Sequence, residues 1–297
     1  MSATLLEKAA AKINLTLRVI GRRADGYHDL ESLVAFADIA DVLTLQPGAE
    51  DALDVGGPFA GKSGAVADNL VLKALGALRQ QMTGLKGGRF LLEKKVPVAA
   101  GLGGGSADAA AALRLIARAN SVALDDPRLL EAARAVGADV PVCLDPRPRI
   151  MRGVGELLSP PLELPKLPAV LVNPGVALAT RDVFGKLTGR SGGSELTEVP
   201  REFDALIECL NQHGNDLTAA AMACTPVVAE VLAALKKLPG AKLVRMSGSG
   251  SSCFALFATQ REAAAASQRL GAEQNGWWVQ ATSLGAAPSV PSVPSVP

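Results

Sequence analysis

Four glycines fall within five positions of the segment Pro97-Val98-Ala99-Ala100-Gly101-Leu102-Gly103-Gly104-Gly105-Ser106-Ala107-Asp108. Glycine lets the backbone turn several N–H groups to one side, and a following helix adds its own unpaired N–H groups and the positive end of its dipole. The alanine-rich run at residues 109–119 predicts that helix, with Ser106 as its N-cap. The segment therefore predicts a phosphate-binding loop. The alternative is a glycine-rich turn that only begins a buried helix, but three consecutive glycines weaken a turn unless a ligand must approach the backbone.

Two other phosphate-binding motifs fit the chain less well. The dinucleotide fingerprint G-x-G-x-x-G/A requires glycine or alanine where this loop has Ser106. Residues 56–63 match the P-loop pattern G-x-x-x-x-G-K-[ST], with Lys62 and Ser63 at the end. A P-loop lysine begins a helix, whereas here Gly64 follows and the next helical pattern begins only near Asp68. We therefore expect residues 56–63 to form a hairpin or surface loop.

Composition indicates a soluble globular enzyme large enough for two domains. Of the 297 residues, 48% are hydrophobic and 20% are charged. The 30 basic and 29 acidic residues leave a formal net charge of +1, so we expect neither nucleic acid nor a membrane as a partner. There is no apolar leader and no uncharged stretch of 18 residues, which predicts a cytoplasmic protein.

The four cysteines are expected to be reduced thiols. They lie far apart, form no C-x-x-C pair and are accompanied by only two histidines. This pattern does not favour disulfides or a zinc site.

The element pattern predicts an α+β fold rather than a doubly wound sheet, because strands and helices alternate irregularly. Strands are expected near residues 9–19, 33–36, 41–45, 89–94, 169–173 and 253–258. Helices are expected near residues 69–81, 127–136, 180–187, 203–210 and 226–235. A proline-rich stretch after Glu156 suggests a boundary between an N-terminal domain at 1–158 and a C-terminal domain at 159–285. The Pro-Ser-Val repeat predicts a disordered tail at 286–297.

Three separated segments resemble the motifs of the galactokinase, homoserine kinase, mevalonate kinase and phosphomevalonate kinase (GHMP kinase) superfamily. They are Ala11-Lys12-Ile13-Asn14-Leu15, the glycine-rich loop and Ser247-Gly-Ser-Gly-Ser-Ser-Cys-Phe. Five further segments resemble the 4-diphosphocytidyl-2-C-methyl-D-erythritol kinase family within it: Gly21-Arg-Arg-Ala-Asp-Gly26-Tyr27-His28, Asp68-Asn69-Leu, Gly137-Ala-Asp139-Val-Pro141, Gly153-Val-Gly155-Glu and Asn173-Pro-Gly175. The resemblance covers residues 9–257, and the R-x-D-G-Y-H segment is its specific part.

The resemblance implies a two-domain GHMP kinase fold with the active site in the cleft. The implied reaction transfers the γ-phosphoryl group of ATP to the 2-hydroxyl of the cytidine-diphosphate-linked methylerythritol, in the non-mevalonate pathway of terpenoid biosynthesis. The implied cofactors are ATP and Mg²⁺, and we expect a monomer or homodimer. The implied site residues are Asp139 and Lys12 for catalysis; residues 97–107, Asn69 and Lys94 for ATP; Asn14, Tyr27, His28, Asp139 and Thr180 for substrate; and Ser106 for the metal that enters with ATP.

The residues themselves support some of these roles and leave alternatives open. Lys12 and Asn14 are two apart in a strand pattern, so they share a face, although a lysine there is commonly solvated. Asp139 follows a helix end, where a turn or cap carboxylate is the alternative. The adjacent Tyr27 and His28 suggest a platform on which a flat base can stack, unless the tyrosine packs on its own hairpin.

Three further candidates have plainer alternatives. Thr180 is otherwise a helix N-cap, and Lys94 and Lys95 are otherwise solvated strand ends. The loop departs from the family where Ala99 and Ala100 precede Gly101 and where Ala107 replaces a second serine.

Other functions are weighed against the kinase of the cytidine-linked alcohol. They are a related kinase for homoserine, mevalonate or a sugar, a P-loop NTPase that uses Lys62, and a metabolite-binding protein without catalysis. The Tyr27-His28 platform distinguishes the first alternative, because those acceptors carry no base.

Overall fold

A computed structural model of the chain describes residues 3–187 and 193–287. Within these ranges the strands are β1 Leu5–Asn14, β2 Arg18–Arg22, β3 His28–Pro47, β4 Ala52–Gly56, β5 Gly88–Glu93, β6 Arg149–Gly153, β7 Leu157–Leu158, β8 Leu167–Asn173, β9 Leu243–Met246, β10 Cys253–Leu256 and β11 Trp278–Gly285. The helices are α1 Leu70–Gln81, α2 Gly104–Ala119, α3 Pro127–Val136, α4 Val140–Leu144, α5 Thr180–Gly185, α6 Phe203–Gln212, α7 Thr218–Cys224, α8 Val227–Lys236 and α9 Gln260–Glu273.

The strands form one mixed sheet, which confirms the predicted α+β class. The main path runs β4-β5-β3-β11-β8-β10-β9, and β1, β2 and β6 also pair with β3. Only the β4–β5 pairing is parallel among the strand pairs that the structure describes. Because β11 pairs with both β3 and β8, the sheet continues across the boundary expected at residue 158.

Residues 28–47 form a single strand where the sequence predicts two. The predicted strands at 33–36 and 41–45 leave a gap at residues 37–40, where Asp38 interrupts the apolar pattern. In the structure Asp41 is fully buried and its carboxylate pairs with the ammonium of Lys94. The strand therefore continues through residues 37–40 and includes Asp41.

Helices cover the sheet and form three buried clusters with it. One packs α1, α2 and α3 on β1, β3 and β5, and another packs α7, α8 and α9 on β8 and β10. The third combines Ile13 and Leu33 with Leu171 and Phe254, so it joins the two halves. The run Ala109–Ala112 of α2 is wholly buried, and its small side chains let the helix approach the sheet closely.

The sequence pattern does not predict several of the described elements. They are β2, β4, β6, β7, β9, β11, α4, α7 and α9, and most of them are short. The sequence does contain a signal for the start of α9, because Thr259 and Glu262 form a capping box there.

Two expectations concern the ends and the membrane. Residues 288–297 of the predicted tail lie outside the described residues. Across the ranges 3–187 and 193–287, no helix is long and apolar enough to cross a membrane.

Candidate active site

A cavity of about 1190 Å³ opens between the phosphate loop and the segments that follow β8. Both halves of the chain contribute to its wall. It brings together most of the predicted site residues: Lys12, Asn14, Tyr27, His28, Asn69, Lys94, Pro97, Val98, Ala99, Ala100, Gly101, Gly103, Gly104, Gly105, Ser106, Asp139 and Thr180. Leu102 and Ala107 are buried behind the loop instead, and the Leu102 carbonyl accepts a hydrogen bond from the Lys12 amide.

The glycine-rich segment turns into α2 three residues earlier than predicted from the sequence. Gly103 is the N-cap, with φ at +61° in the left-handed region that glycine adopts readily. Ser106 is therefore the third residue of the helix, and its prediction as N-cap is wrong. The N–H groups of the first turn have no intrahelical partner, so this end of α2 offers donors and a positive dipole to an anion in the cavity.

Two of the glycines also make room for other parts of the protein. A Cβ at Gly101 would overlap the Ser247 carbonyl oxygen, and a Cβ at Gly103 would lie 3.2 Å from the Lys12 Cβ. The Ser247 hydroxyl donates to the Gly101 carbonyl at 2.9 Å and accepts from the Asn14 amide at 3.1 Å. The small-residue loop after β9 thus braces the phosphate loop.

Lys12 and Asp139 form an ion pair at the cavity wall, with 2.9 Å between Nζ and Oδ2. The Lys12 side chain is 5% exposed, so the solvated alternative is wrong. Asp139 occupies the N-cap position of α4, but its side chain makes no capping hydrogen bond and is 38% exposed. One carboxylate oxygen is held by the lysine, which leaves the other available to a ligand.

Asn14 faces the same cavity from the end of β1. Its Nδ2 donates to the Ser32 hydroxyl at 2.7 Å. Its Oδ1 is buried and has no hydrogen-bond partner among the described residues. A buried acceptor in this state favours a ligand that supplies a donor.

Tyr27 and His28 lie at the β2–β3 hairpin. The Tyr27 side chain does not pack on that hairpin, because the residue is 64% exposed at the cavity. The His28 ring stacks on Phe184, with 4.8 Å between centroids and 26° between planes. Burial lowers the pKa of His28, and the neighbouring charge of Arg22 lowers it further. The aromatic side chains of Tyr27, His28 and Phe184 line this part of the cavity, and we call them the ring wall.

Phe184 is the site residue that the sequence analysis missed. It lies on α5 four residues after Thr180, and this spacing puts both on one face of the helix. That spacing is the signal that could have found it.

Thr180 and Asn69 occupy helix starts with different side-chain partners. The Thr180 hydroxyl bonds to the Ser249 hydroxyl at 2.9 Å, and the N-cap of α5 is Ala179, so the capping alternative is wrong. Asn69 is the N-cap of α1, where its Oδ1 accepts from the Val71 amide at 3.0 Å. The residue also lines the cavity.

Lys94 is buried rather than solvated, unlike Lys95, whose side chain is 46% exposed beside Glu93. The Lys94 ammonium donates to Asp41 and, at 2.7 Å, to Asp108. Burial raises the pKa of the Asp108 carboxyl to about 7, although the lysine opposes the shift.

Residues 56–63 do not form a P-loop. The end of β4 leads into a 3-10 turn at Ala60–Lys62, and no α-helix begins there. The Lys62 ammonium donates to the Gly175 carbonyl at 3.4 Å on the surface. The P-loop NTPase hypothesis is therefore wrong.

Comparison with known proteins agrees with this geometry. The chain matches the GHMP kinases N terminal domain over residues 69–145 and the GHMP kinases C terminal over residues 203–275. It is 56% identical over 291 residues to a 4-diphosphocytidyl-2-C-methyl-D-erythritol kinase of Rhodopseudomonas palustris, covering 94% of this chain and 99% of that protein. A kinase of the same name from Bradyrhizobium diazoefficiens is 54% identical over 291 residues, covering 94% of this chain and 98% of its own length.

A solved structure extends the similarity to the fold. The crystal structure of a 4-(cytidine 5'-diphospho)-2C-methyl-D-erythritol kinase superimposes with a TM-score of 0.78 at 35% identity, covering 95% of this chain and 100% of the other. The sequence identity exceeds 50% over almost the whole length of these relatives, which assigns the chain to their family rather than to another family of the superfamily. The chain belongs to the 4-diphosphocytidyl-2-C-methyl-D-erythritol kinase family of the GHMP kinases.

Proposed function

We propose that the chain transfers the γ-phosphoryl group of ATP to the 2-hydroxyl of 4-diphosphocytidyl-2-C-methyl-D-erythritol, within the non-mevalonate pathway. The observation that carries the proposal is the Lys12–Asp139 pair, which faces the same cavity as the start of α2. A base partner and an anion site are the two parts that phosphoryl transfer to an alcohol requires.

The phosphate loop supplies the anion site. Residues 97–107 would wrap the phosphates of ATP, with donors from the N–H groups of Gly104, Gly105 and Ser106 at the helix start. Asn69 would contact the nucleotide through its free amide nitrogen. These fixed dipoles cost no reorganisation during the reaction, so they stabilise the charge on the transferring group.

Asp139 would act as the base. As the acceptor oxygen bonds to the γ-phosphorus, the bond from that phosphorus to the β-phosphate oxygen breaks and ADP leaves. The hydroxyl proton passes to the carboxylate of Asp139, late in a loose transition state. The Lys12 ammonium, 2.9 Å from the carboxylate, would hold it in place and neutralise the developing alkoxide.

Mg²⁺ is proposed to enter with ATP. Among the described residues no group of three or more His, Cys, Asp and Glu could hold a metal ion. Mg²⁺ commonly takes only one or two protein ligands and completes its shell with phosphate oxygens and water, so the Ser106 hydroxyl fits as a ligand. Bound there, the cation would supply neutralisation of phosphate charge.

The ring wall at the other end of the site would hold the base of the acceptor. Tyr27, His28 and Phe184 present flat faces that suit cytosine. Asn14 and Thr180 would contact the part of the acceptor that lies between the base and the reacting hydroxyl. Homoserine, mevalonate and sugars lack a base, so this wall favours the cytidine-linked acceptor over theirs.

The organisation of the protein follows the same proposal. We propose an N-terminal domain at 1–158 and a C-terminal domain at 159–285, in a cytoplasmic protein that acts as a monomer or homodimer. The two family matches lie on opposite sides of that boundary, which supports the division. The nearly balanced charge supports small molecules, rather than nucleic acid, as partners.

The test is an acceptor panel. Purified protein with Mg²⁺-ATP is offered 4-diphosphocytidyl-2-C-methyl-D-erythritol, homoserine, mevalonate or galactose, and ADP release is measured. Release is expected with the first alone, and CDP should compete with it. Efficient release with another acceptor, together with no competition by CDP, would contradict the proposal. Ligand binding without turnover would instead indicate a metabolite-binding protein.

A further inference from the structure

Three buried charged side chains lie beneath the first turns of α2. They come from separate parts of the chain: Asp41 from β3, Lys94 from the position directly after β5, and Asp108 from α2 itself. The side chains are 0%, 4% and 4% exposed. The Lys94 ammonium bonds to both carboxylates and so joins β3 to the helix. We call these residues the Asp41–Lys94–Asp108 cluster.

The cluster holds both ends of the phosphate loop. The Asp41 Oδ1 accepts the amide N–H groups of Lys95 at 2.5 Å and Val96 at 2.8 Å, and these residues lead directly into the loop. At the other end, the Asp108 Oδ2 accepts from Lys94 at 2.7 Å on the helix that leaves the loop. The entry and the exit of the loop are thus tied through one ammonium group.

The ammonium also lies against the backbone that would meet the phosphates. A Cβ at Gly104 would be 3.5 Å from the Lys94 Nζ and 3.7 Å from the Asp41 Oδ2. Gly104 is the first residue of α2. A change in the cluster would therefore move the N–H groups of the helix start.

A contribution to folding stability does not by itself explain why these three charged side chains are buried together. Buried ion pairs are commonly no more stabilising than well-packed apolar side chains of similar size. Here one ammonium serves two carboxylates, and the Asp108 Oδ1 has no hydrogen-bond partner in the described part of the chain. The arrangement is better suited to fixing the relative position of three elements.

We infer that the Asp41–Lys94–Asp108 cluster positions the phosphate loop for ATP, and that Lys94 is a positioning residue rather than a phosphate ligand. The inference rests on the proposed function. It also replaces the direct nucleotide contact predicted for Lys94 from the sequence. Lys94 lines the cavity, but two of its three ammonium hydrogens already bond to carboxylates, which leaves one for a phosphate.

The substitution Asp108→Ala should change nucleotide affinity in opposite directions for the two roles. If Lys94 were a phosphate ligand, Asp108→Ala would free its ammonium and remove a negative charge near ATP, so ATP would bind more tightly. If the cluster positions the loop, the same change releases α2 and ATP binds more weakly. We expect the ADP affinity of Asp108→Ala to fall about tenfold, equivalent to about 1.4 kcal/mol. Asp108→Asn keeps an oxygen for Lys94 and should restore affinity to within about threefold of the parent.

The measurement is calorimetric titration of the full chain with ADP, and with CDP as the probe for the acceptor end. Glu7→Ala is the matched control, because Glu7 pairs with Arg114 and Arg118 on the same helix, beyond the loop. It should lower Tm without changing ADP affinity. Asp108→Ser serves as a second variant if Asp108→Ala fails to fold, and the same fall in ADP affinity is expected. CDP affinity should be unchanged in every variant.

Three results would overturn the inference. They are unchanged or tighter ADP binding in a folded Asp108→Ala or Asp108→Ser protein, equal losses in the alanine and asparagine variants, and an equal loss in Glu7→Ala. Failure of the acceptor panel would remove the proposed function, but it would leave the ADP titration as a separate test of the cluster.

Discussion

Replacement of Asp139 by asparagine is expected to lower kcat strongly while leaving the site assembled. Asparagine has the same shape and keeps an oxygen that can accept from Lys12, now 2.9 Å away. It cannot take the acceptor proton. A positioned base contributes roughly 10²–10⁴ in rate, so kcat should fall by about that factor, or about 2.7–5.4 kcal/mol in barrier height.

The expected cost in stability is much smaller. The Lys12 side chain is 5% exposed but faces the cavity, and that of Asp139 is 38% exposed. Breaking a fully buried pair costs about 3–5 kcal/mol, and the partial exposure here should reduce the loss to about 1–2 kcal/mol. KM for ATP and for the acceptor should stay within a few fold, because asparagine still forms a hydrogen bond to the hydroxyl.

The assay is ADP release at saturating ATP and acceptor, with thermal unfolding of the same samples. Asp54→Asn is the matched control, because it makes the same chemical change in an exposed pair between Asp54 on β4 and Arg89 on β5. There kcat should be unaffected. A folded Asp139→Asn enzyme with kcat within about threefold of the parent would refute the role of this carboxylate.

Three further substitutions test other parts of the site. Gly103→Ala places a Cβ in a crowded position at φ +61° and should raise KM for ATP. The control Gly64→Ala, at φ +75° in open space, should affect only stability. Equal effects of the two substitutions on KM would contradict the loop assignment. Tyr27→Ala should raise KM for the acceptor by roughly 10- to 100-fold, because stacking on a base is worth about 1–3 kcal/mol. Leu124→Ala, which replaces another exposed side chain, should leave that KM unchanged. An unchanged KM in Tyr27→Ala would remove the tyrosine from the base site. Lys62→Ala should leave ATP affinity unchanged in calorimetry, since its ammonium bonds a surface carbonyl, and loss of binding would reopen the P-loop hypothesis.

Local sequence alone predicts the glycine-rich loop that precedes α2, and the structure places such a turn there. Consecutive glycines followed by alanines have few structural solutions, so the segment before α2 predicts an anion site without any knowledge of its neighbours. The same holds for the α+β class, which follows from the order of strand and helix patterns. The resemblance of short motifs then named the family, because each motif is contiguous in the chain.

Tertiary structure decided which of these residues meet and what they meet. Lys12 and Asp139 are 127 positions apart, and only the packing of α4 against β1 brings their charges within 2.9 Å. The sequence pattern begins a strand at Asp41 but does not show that its carboxylate is buried, which the partner Lys94 allows. Propensity and periodicity act over a few residues, whereas a buried charge depends on a partner that the fold delivers from elsewhere. That is why the glycine-rich turn before α2 could be predicted from the local pattern. The Lys12–Asp139 pair was predicted only through the resemblance to the family, and the cluster was not predicted.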